Sequence, residues 1–62
     1  MKYSELIDWR KKYGVTQEQM AKNVGVSLTA YVHWEHGISL PSAENKESLY
    51  KYVTEVEKEM EG

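Results

Sequence analysis

The amino-acid sequence predicts an all-α fold in which three short helices precede one long C-terminal helix. Apolar side chains recur three and four residues apart through most of the chain, which is the period of an amphipathic helix. Gly14, Gly25 and Gly37 fall where these periodic runs stop. No segment shows the alternation of apolar and polar residues that is typical of a strand. We expect residues 1–62 to form one domain, because so short a chain has too little core to divide.

The first helix is predicted over about residues 3–13. Ser4 precedes a periodic apolar run, and Lys11 and Lys12 follow in the last turn, where a positive charge interacts favourably with the helix dipole. Gly14 can end this helix, because glycine readily takes the positive φ angle of a helix C-cap.

The second helix is predicted from Gln17 to Asn23 or Val24. Thr16 and Gln19 have the spacing of a capping box, in which each side chain accepts a hydrogen bond from the backbone of the other residue. The residues expected on its buried face are Met20, Ala21 and Val24.

The third helix is predicted from Leu28 to His36, because Ser27 is a good N-cap and Gly37 follows. Its two sides differ in chemistry. The side expected to pack inward carries Tyr31, Trp34 and the aliphatic part of Glu35. The opposite side is then free to contact another molecule.

The fourth helix is predicted over about residues 42–60, beginning at Pro41 or Ser42. Residues 38–41 should be extended, since a residue that precedes proline disfavours helical angles. No glycine or proline interrupts the chain from residue 42 to residue 61. The predicted C-terminal helix is therefore continuous.

This fourth helix carries an apolar stripe with spacings of four, three and four residues, formed by Leu49, Val53, Val56 and Met60. Two interpretations of the stripe are open. In one, its first half closes the domain's own core and its last turns fray. In the other, a second copy of the chain binds to Val53, Val56 and Met60, which gives a homodimer.

The composition argues against several classes of protein. Cysteine is absent, which excludes disulfides and thiolate metal sites. His33 and His36, with Glu35 between them, make at most half of a metal site, because zinc needs at least a third ligand in the right place. No apolar run approaches the roughly 20 residues needed to cross a bilayer. We therefore expect a cytoplasmic protein without a membrane, metal or cofactor partner. A helical domain this small has no pocket for a small-molecule substrate, so we do not expect an enzyme.

The net charge of −2 is unevenly distributed. Residues 1–36 carry five basic and four acidic side chains, whereas residues 37–62 carry three basic and six acidic ones. Binding to nucleic acid depends on where charge lies more than on its total. The net charge therefore does not exclude nucleic acid as a partner of the first half.

Residues 17–36 have the pattern of a helix-turn-helix, in which two short helices flank a turn that contains glycine. Ala21 is small enough for the two helices to cross closely, and Gly25 can adopt a positive φ angle in the turn. In such a unit the second helix can lie in the major groove of DNA.

The run LIDWRKKYGVTQEQMAKNVGVSLTAYVHWEHGISLPS, residues 6–42, resembles the helix-turn-helix domain of the lambda-repressor and Cro superfamily, also called the XRE family. The segments TQEQMA, GVS and WEHG fall at the spacing of that family. The resemblance weakens after about Pro41, because the glycine turn and fifth helix usual in the family are missing. It implies a lambda-repressor-like fold and a small regulator of transcription, of repressor type, that binds double-stranded DNA. Such a protein is expected to come from a phage, a mobile element or a bacterial genome.

The resemblance also assigns roles to individual residues. The positions that contact DNA bases fall on Ser27, Leu28, Thr29, Val32 and His33. The positions that contact phosphates fall on Thr16, Gln17, His36, Ser39 and Ser42. Arg10 and Glu35 match a partly buried ion pair of several lambdoid phage repressors. Hydrogen bonds from the arginine guanidinium would offset the desolvation free energy of a carboxylate that faces a small core.

The base-contacting positions depart from the family, which often has arginine, glutamine or serine there. Leu28 and Val32 instead offer an apolar surface, which can meet the methyl group of thymine or dock a protein. The alternative function is therefore a protein-binding module of the same fold, like an antitoxin or antirepressor, that holds a protein partner with the front of helix 3 and the acidic tail.

Overall fold

The computed structural model describes residues 2–61, and this range contains four α-helices and no strand. The helices in chain order are α1 (Glu5–Tyr13), α2 (Gln17–Val24), α3 (Leu28–Glu35) and α4 (Ala43–Glu61). The all-α prediction is confirmed, and no helix end differs from the predicted one by more than two residues. Within the described range, no helix combines the length and apolar character needed to cross a membrane.

The predicted capping box at the start of α2 is present. The Thr16 hydroxyl oxygen accepts a hydrogen bond from Gln19 N at 3.1 Å, and Gln19 Oε1 accepts one from Thr16 N at 2.9 Å. At the start of α3, the Ser27 hydroxyl oxygen accepts from Ala30 N at 3.1 Å. Each cap supplies an acceptor to a backbone N–H that has no partner inside the helix, which is typically worth about 1 kcal/mol.

The core lies where the three short helices meet the middle of α4. Its largest fully buried side chains are Leu6, Met20, Tyr31 and Leu49. Tyr31 and Trp34 pack edge to face, with ring centroids 5.9 Å apart. Aromatic pairs in this arrangement contribute about 0.5–1.5 kcal/mol beyond the burial of their area. They fix one side of α3 against the rest of the domain.

The apolar stripe of α4 is divided between core and surface. Leu49 and Val53 are buried, Val56 is half-buried against the core, and Met60 is 65 % exposed. The expectation that the first half of the stripe closes the domain's own core is confirmed. Of the three residues expected to contact a second copy, only Val56 and Met60 have appreciable surface left for that contact.

The last turns of α4 are bound to α1 instead of fraying. Trp9 Nε1 donates a hydrogen bond to Glu57 Oε2 at 3.1 Å, and the Tyr13 hydroxyl donates one to Glu61 Oε1 at 2.8 Å. Tyr13 and Trp9 also stack at a tilt, with centroids 5.0 Å apart. The expectation of frayed last turns is therefore wrong, because α1 supplies hydrogen-bond donors to the acidic residues of α4.

Candidate nucleic-acid interface

The two sides of α3 lie as the sequence predicts. Tyr31, Trp34 and Glu35 are buried, whereas Thr29 is exposed and His33 is half-buried. Ser27 and Leu28 are also exposed, and Val32 is half-buried. All five residues expected to contact bases therefore have solvent-accessible surface, and the most exposed of them cluster at the N-terminal end of α3.

The turn between α2 and α3 sets the crossing of these two helices. Gly25 has a φ angle of 89°, in the left-handed region where a side chain would be strained. The backbone N–H groups of Gly25 and Val26 both donate to the carbonyl oxygen of Ala21, at 2.9 and 3.0 Å. Ala21 itself is buried. This arrangement ends α2 and turns the chain at once into α3.

The predicted ion pair joins α1 to the end of α3. Arg10 Nε lies 2.6 Å from Glu35 Oε2, and Arg10 Nη2 donates to Glu35 Oε1 at 3.0 Å. Arg10 Nη1 also donates to the carbonyl oxygen of Val15, at 3.4 Å, in the loop that leads into α2. One guanidinium group thus connects the end of α1, the α1–α2 loop and the end of α3.

A further hydrogen bond to Glu35 was not predicted. Gln17 Nε2 donates to Glu35 Oε1 at 3.0 Å, so the side chain of the first residue of α2 contacts the last residue of α3. No spacing rule connects residues 17 and 35, because the contact depends on how the two helices cross. The Gln17 side chain is therefore hydrogen-bonded within the domain. In a phosphate contact by this residue, the backbone N–H would be the donor.

Burial and hydrogen bonding act in opposite directions on the pKa of Glu35. Burial alone would raise it, but the hydrogen bonds from Arg10 and Gln17 and the charge of Arg10 outweigh burial, so the net pKa lies below the ordinary value. The Glu35 hydrogen bond correspondingly raises the pKa of Arg10. Glu35 is only 3 % exposed and is held as a carboxylate.

The Tyr31 hydroxyl lies beside this ion pair. It is buried and has no hydrogen-bond partner of good geometry among residues 2–61. Burial, together with the nearby Glu35 carboxylate, raises the pKa of Tyr31 above its ordinary value. The Tyr31 ring packs in the core, on the side of α3 opposite the exposed residues. It thereby fixes the orientation of α3.

The residues expected to contact phosphates fall in two segments. Thr16 and Gln17 lie at the N-terminus of α2, where first-turn backbone N–H groups have no partner inside the helix and the dipole favours an anion. The second segment follows α3 and contributes His36, Ser39 and Ser42, which are all exposed. The Ser42 hydroxyl oxygen accepts from Asn45 N at 3.2 Å, so this hydroxyl also caps α4.

The loop after α3 folds back on His33. The backbone N–H groups of Ile38 and Ser39 both donate to the carbonyl oxygen of His33, at 2.9 and 3.4 Å. A residue expected to contact bases and one expected to contact a phosphate are thereby held next to each other. His36 and Gly37 form the turn between them, and Gly37 has a φ angle of 72°.

The charge of this surface is low. None of the ten residues expected to contact DNA is lysine or arginine, and Arg10 is engaged with Glu35. The nearest basic side chain along α2 is the exposed Lys22. Favourable interaction with phosphates would therefore come mainly from backbone N–H groups and the dipole of α2.

Comparison with known proteins agrees with this geometry. A family of proteins described as helix-turn-helix matches residues 6–45. The chain belongs to the helix-turn-helix family. The match covers α1 to α3 and the first residues of α4, so most of the C-terminal helix lies beyond it.

One protein to which the chain is similar is the cryptic phage CTXphi transcriptional repressor RstR from Vibrio cholerae serotype O1. The two sequences are 48 % identical over 46 residues, which is 73 % of this chain and 41 % of that protein. The chain thus spans about two fifths of the length of the curated relative. No solved structure matches the chain significantly.

Proposed function

We propose that this helix-turn-helix protein is a sequence-specific DNA-binding regulator of transcription, of repressor type, that inserts α3 into the major groove of double-stranded DNA. The observation that carries the proposal is the orientation of α3. Tyr31 and Trp34 fix one side in the core, while Thr29 is exposed on the other. Family membership and the similarity to a phage transcriptional repressor support the same function. The regulator acts by occupying its operator and requires no chemical step.

Each exposed residue of α3 has a distinct role in this proposal. The Thr29 hydroxyl donates or accepts at a base edge, and the His33 ring bonds a guanine or a phosphate. Leu28 and Val32 meet the methyl groups of thymines. The backbone N–H groups at the start of α2 hold a phosphate and set the register of α3 in the groove.

We also propose that the regulator binds as a homodimer. A monomer with few cationic contacts to phosphate binds DNA weakly at physiological salt. Two copies place their recognition helices about 34 Å apart and read a palindrome of two half-sites, which adds the contacts of the second copy.

Selection of bound sequences from a random pool of duplex DNA tests this function. The expected result is an enriched motif with two-fold symmetry, bound by two copies of the chain according to the mass of the complex. A pool that shows no enrichment after repeated rounds contradicts the proposal.

One observation favours a second candidate function, a protein-binding module of the same fold. The expected DNA surface has no lysine or arginine, and Leu28, the first residue of α3, is 43 % exposed. Titration with genomic DNA at two salt concentrations separates the two functions. A DNA-binding regulator binds and loses affinity as salt rises, whereas a protein-binding module binds little DNA at either concentration.

A further inference from the structure

The exposed side of α3 combines aliphatic groups with few hydrogen-bonding groups. Leu28 is 43 % exposed, and Val32, one helical turn further along the same side, is half-buried. Thr29 carries a methyl group beside its hydroxyl and is exposed. We call these residues, together with His33, the reading surface. Three of its four side chains therefore offer aliphatic carbon atoms to a groove.

No side chain of the reading surface can form the paired hydrogen bonds that identify a purine. Arginine or lysine makes such a pair with guanine, and asparagine or glutamine makes it with adenine. None of these four residue types occurs between Gly25 and Gly37. Purine identity therefore contributes little to recognition by α3, and discrimination has to come from the pyrimidine of each base pair.

The polar groups of the reading surface do not distinguish thymine from cytosine. At C4, thymine presents an oxygen acceptor in the major groove, whereas cytosine presents an amino donor. The Thr29 hydroxyl can donate or accept, and a neutral imidazole such as that of His33 has one donor and one acceptor nitrogen. Glu35, the carboxylate of α3 that could accept from cytosine alone, is buried and paired with Arg10. Either pyrimidine can therefore satisfy these polar groups.

The group at C5 of the pyrimidine is the difference that an aliphatic surface detects. Thymine has a methyl group at C5 in the major groove, and cytosine has a hydrogen atom there. Burying one methyl group against Leu28 or Val32 favours binding about fourfold. The two residues lie about 6 Å apart along the helix axis, so they reach methyl groups about two base steps apart. Cytosine methylated at C5 presents the same group at the same place.

We propose that α3 reads the 5-methyl group of pyrimidines and accepts 5-methylcytosine in place of thymine. Methylation of cytosine at C5 then strengthens binding of this chain to a duplex wherever the methyl group meets Leu28 or Val32. The inference rests on the proposed insertion of α3 into the major groove, and it adds the chemical group that is read there.

Single-base changes in the operator obtained by selection test this inference, with the dissociation constant measured by fluorescence anisotropy at fixed salt. Replacing a contacted thymine by uracil removes only the methyl group and should raise the dissociation constant about fourfold. Replacing that base pair by cytosine and guanine should weaken binding at least as much. Methylating the new cytosine at C5 should recover most of the affinity. Thymines outside the footprint are the internal control, and uracil there should have no effect.

The variant Leu28→Ala connects the effect to the reading surface. At the base pair that Leu28 contacts, this variant should bind thymine and uracil with equal affinity, because the side chain that meets the methyl group is shortened. The matched control is Leu40→Ala, which removes the same atoms from a leucine that is 74 % exposed in the loop after α3. It should keep the fourfold preference for thymine. Circular dichroism checks that both variants remain helical.

Two outcomes overturn this inference and leave the proposed function intact. In the first, the operator binds equally well with uracil at every thymine, so α3 reads other groups. In the second, 5-methylcytosine binds no better than cytosine at a position where thymine is preferred over uracil. A random pool that yields no enriched motif has a different meaning, since it contradicts the proposed function and this inference together.

Discussion

Gln17 and Glu35 join the two ends of the helix-turn-helix unit, since Gln17 Nε2 donates to Glu35 Oε1 at 3.0 Å. Gln17 is the first residue of α2, and Glu35 is the last residue of α3. Arg10 binds the same carboxylate from α1. The N-terminus of α2, proposed to hold a phosphate, is thus fixed relative to the helix proposed to read bases, and any change at Glu35 should act on both.

Replacing Glu35 by glutamine should destabilise the fold by about 3 kcal/mol, because it leaves the partly buried Arg10 guanidinium without its counter-charge. Urea unfolding of the variant measures this loss. The matched control is Glu59→Gln, an exposed residue of α4, which should change the free energy of unfolding by less than about 0.5 kcal/mol. Equal effects of the two substitutions would show that the buried ion pair contributes nothing specific.

The lowered pKa of Glu35 also predicts how stability changes with pH. An ordinary glutamate titrates near pH 4.3. The folded pKa of Glu35 lies below its unfolded one, so its contribution is fully present above the unfolded pKa and is lost as pH falls through the folded pKa. The free energy of unfolding should therefore decrease on acidification below about pH 5. Glu35→Gln should flatten this decrease, and an unchanged pH profile contradicts the assignment.

Replacing Thr29 or His33 by alanine should reduce discrimination at one or two base pairs by about 1–3 kcal/mol. Competition between the selected operator and single-base variants measures this effect. Thr54→Ala, at an exposed threonine of α4, controls for loss of a hydroxyl group and should bind every competitor as the unchanged protein does. Preserved affinity and preference in both variants would refute the proposed role of α3.

The sequence predicted α2 and the start of α3 well because these boundaries have local causes, whereas Ser4 before α1 makes no capping hydrogen bond. Thr16 and Ser27 cap the N-termini of α2 and α3, and Gly25 ends α2 in the turn. Each of these residues acts on backbone groups within one helical turn of itself. The Arg10–Glu35 pair was predicted only through the family resemblance. The hydrogen bond of Gln17 to Glu35 has no local signature, since it depends on the angle at which α2 crosses α3.

The apolar stripe of α4 shows a different limit of prediction from sequence. It is equally compatible with a core and with a homodimer, because periodicity reports which face is apolar and not what covers it. The structure assigns Leu49 and Val53 to the domain's own core, while Met60 is exposed. Glu57 and Glu61 of the last turns accept hydrogen bonds from Trp9 and Tyr13 of α1. Contacts between residues so far apart in the chain leave no pattern in the sequence.

The contact between Tyr13 and Glu61 is testable by titration. The hydrogen bond to the Glu61 carboxylate raises the pKa of Tyr13 to about 12. In Glu61→Gln this pKa should fall towards about 10, the value of an unperturbed tyrosine. NMR of the labelled phenolic carbon follows the titration of Tyr13 directly. A Tyr13 pKa that does not change in the variant means that the two side chains do not interact in solution.

The division of the α4 stripe predicts opposite outcomes at its two ends. Leu49→Ala should lower the free energy of unfolding by about 3 kcal/mol, because it leaves a cavity at a fully buried site. Met60→Ala should change it by less than about 0.5 kcal/mol, since Met60 is 65 % exposed. Urea unfolding at several protein concentrations measures both. If Met60→Ala destabilises the protein only at high concentration, a second copy covers Met60, and the stripe contributes to the homodimer after all.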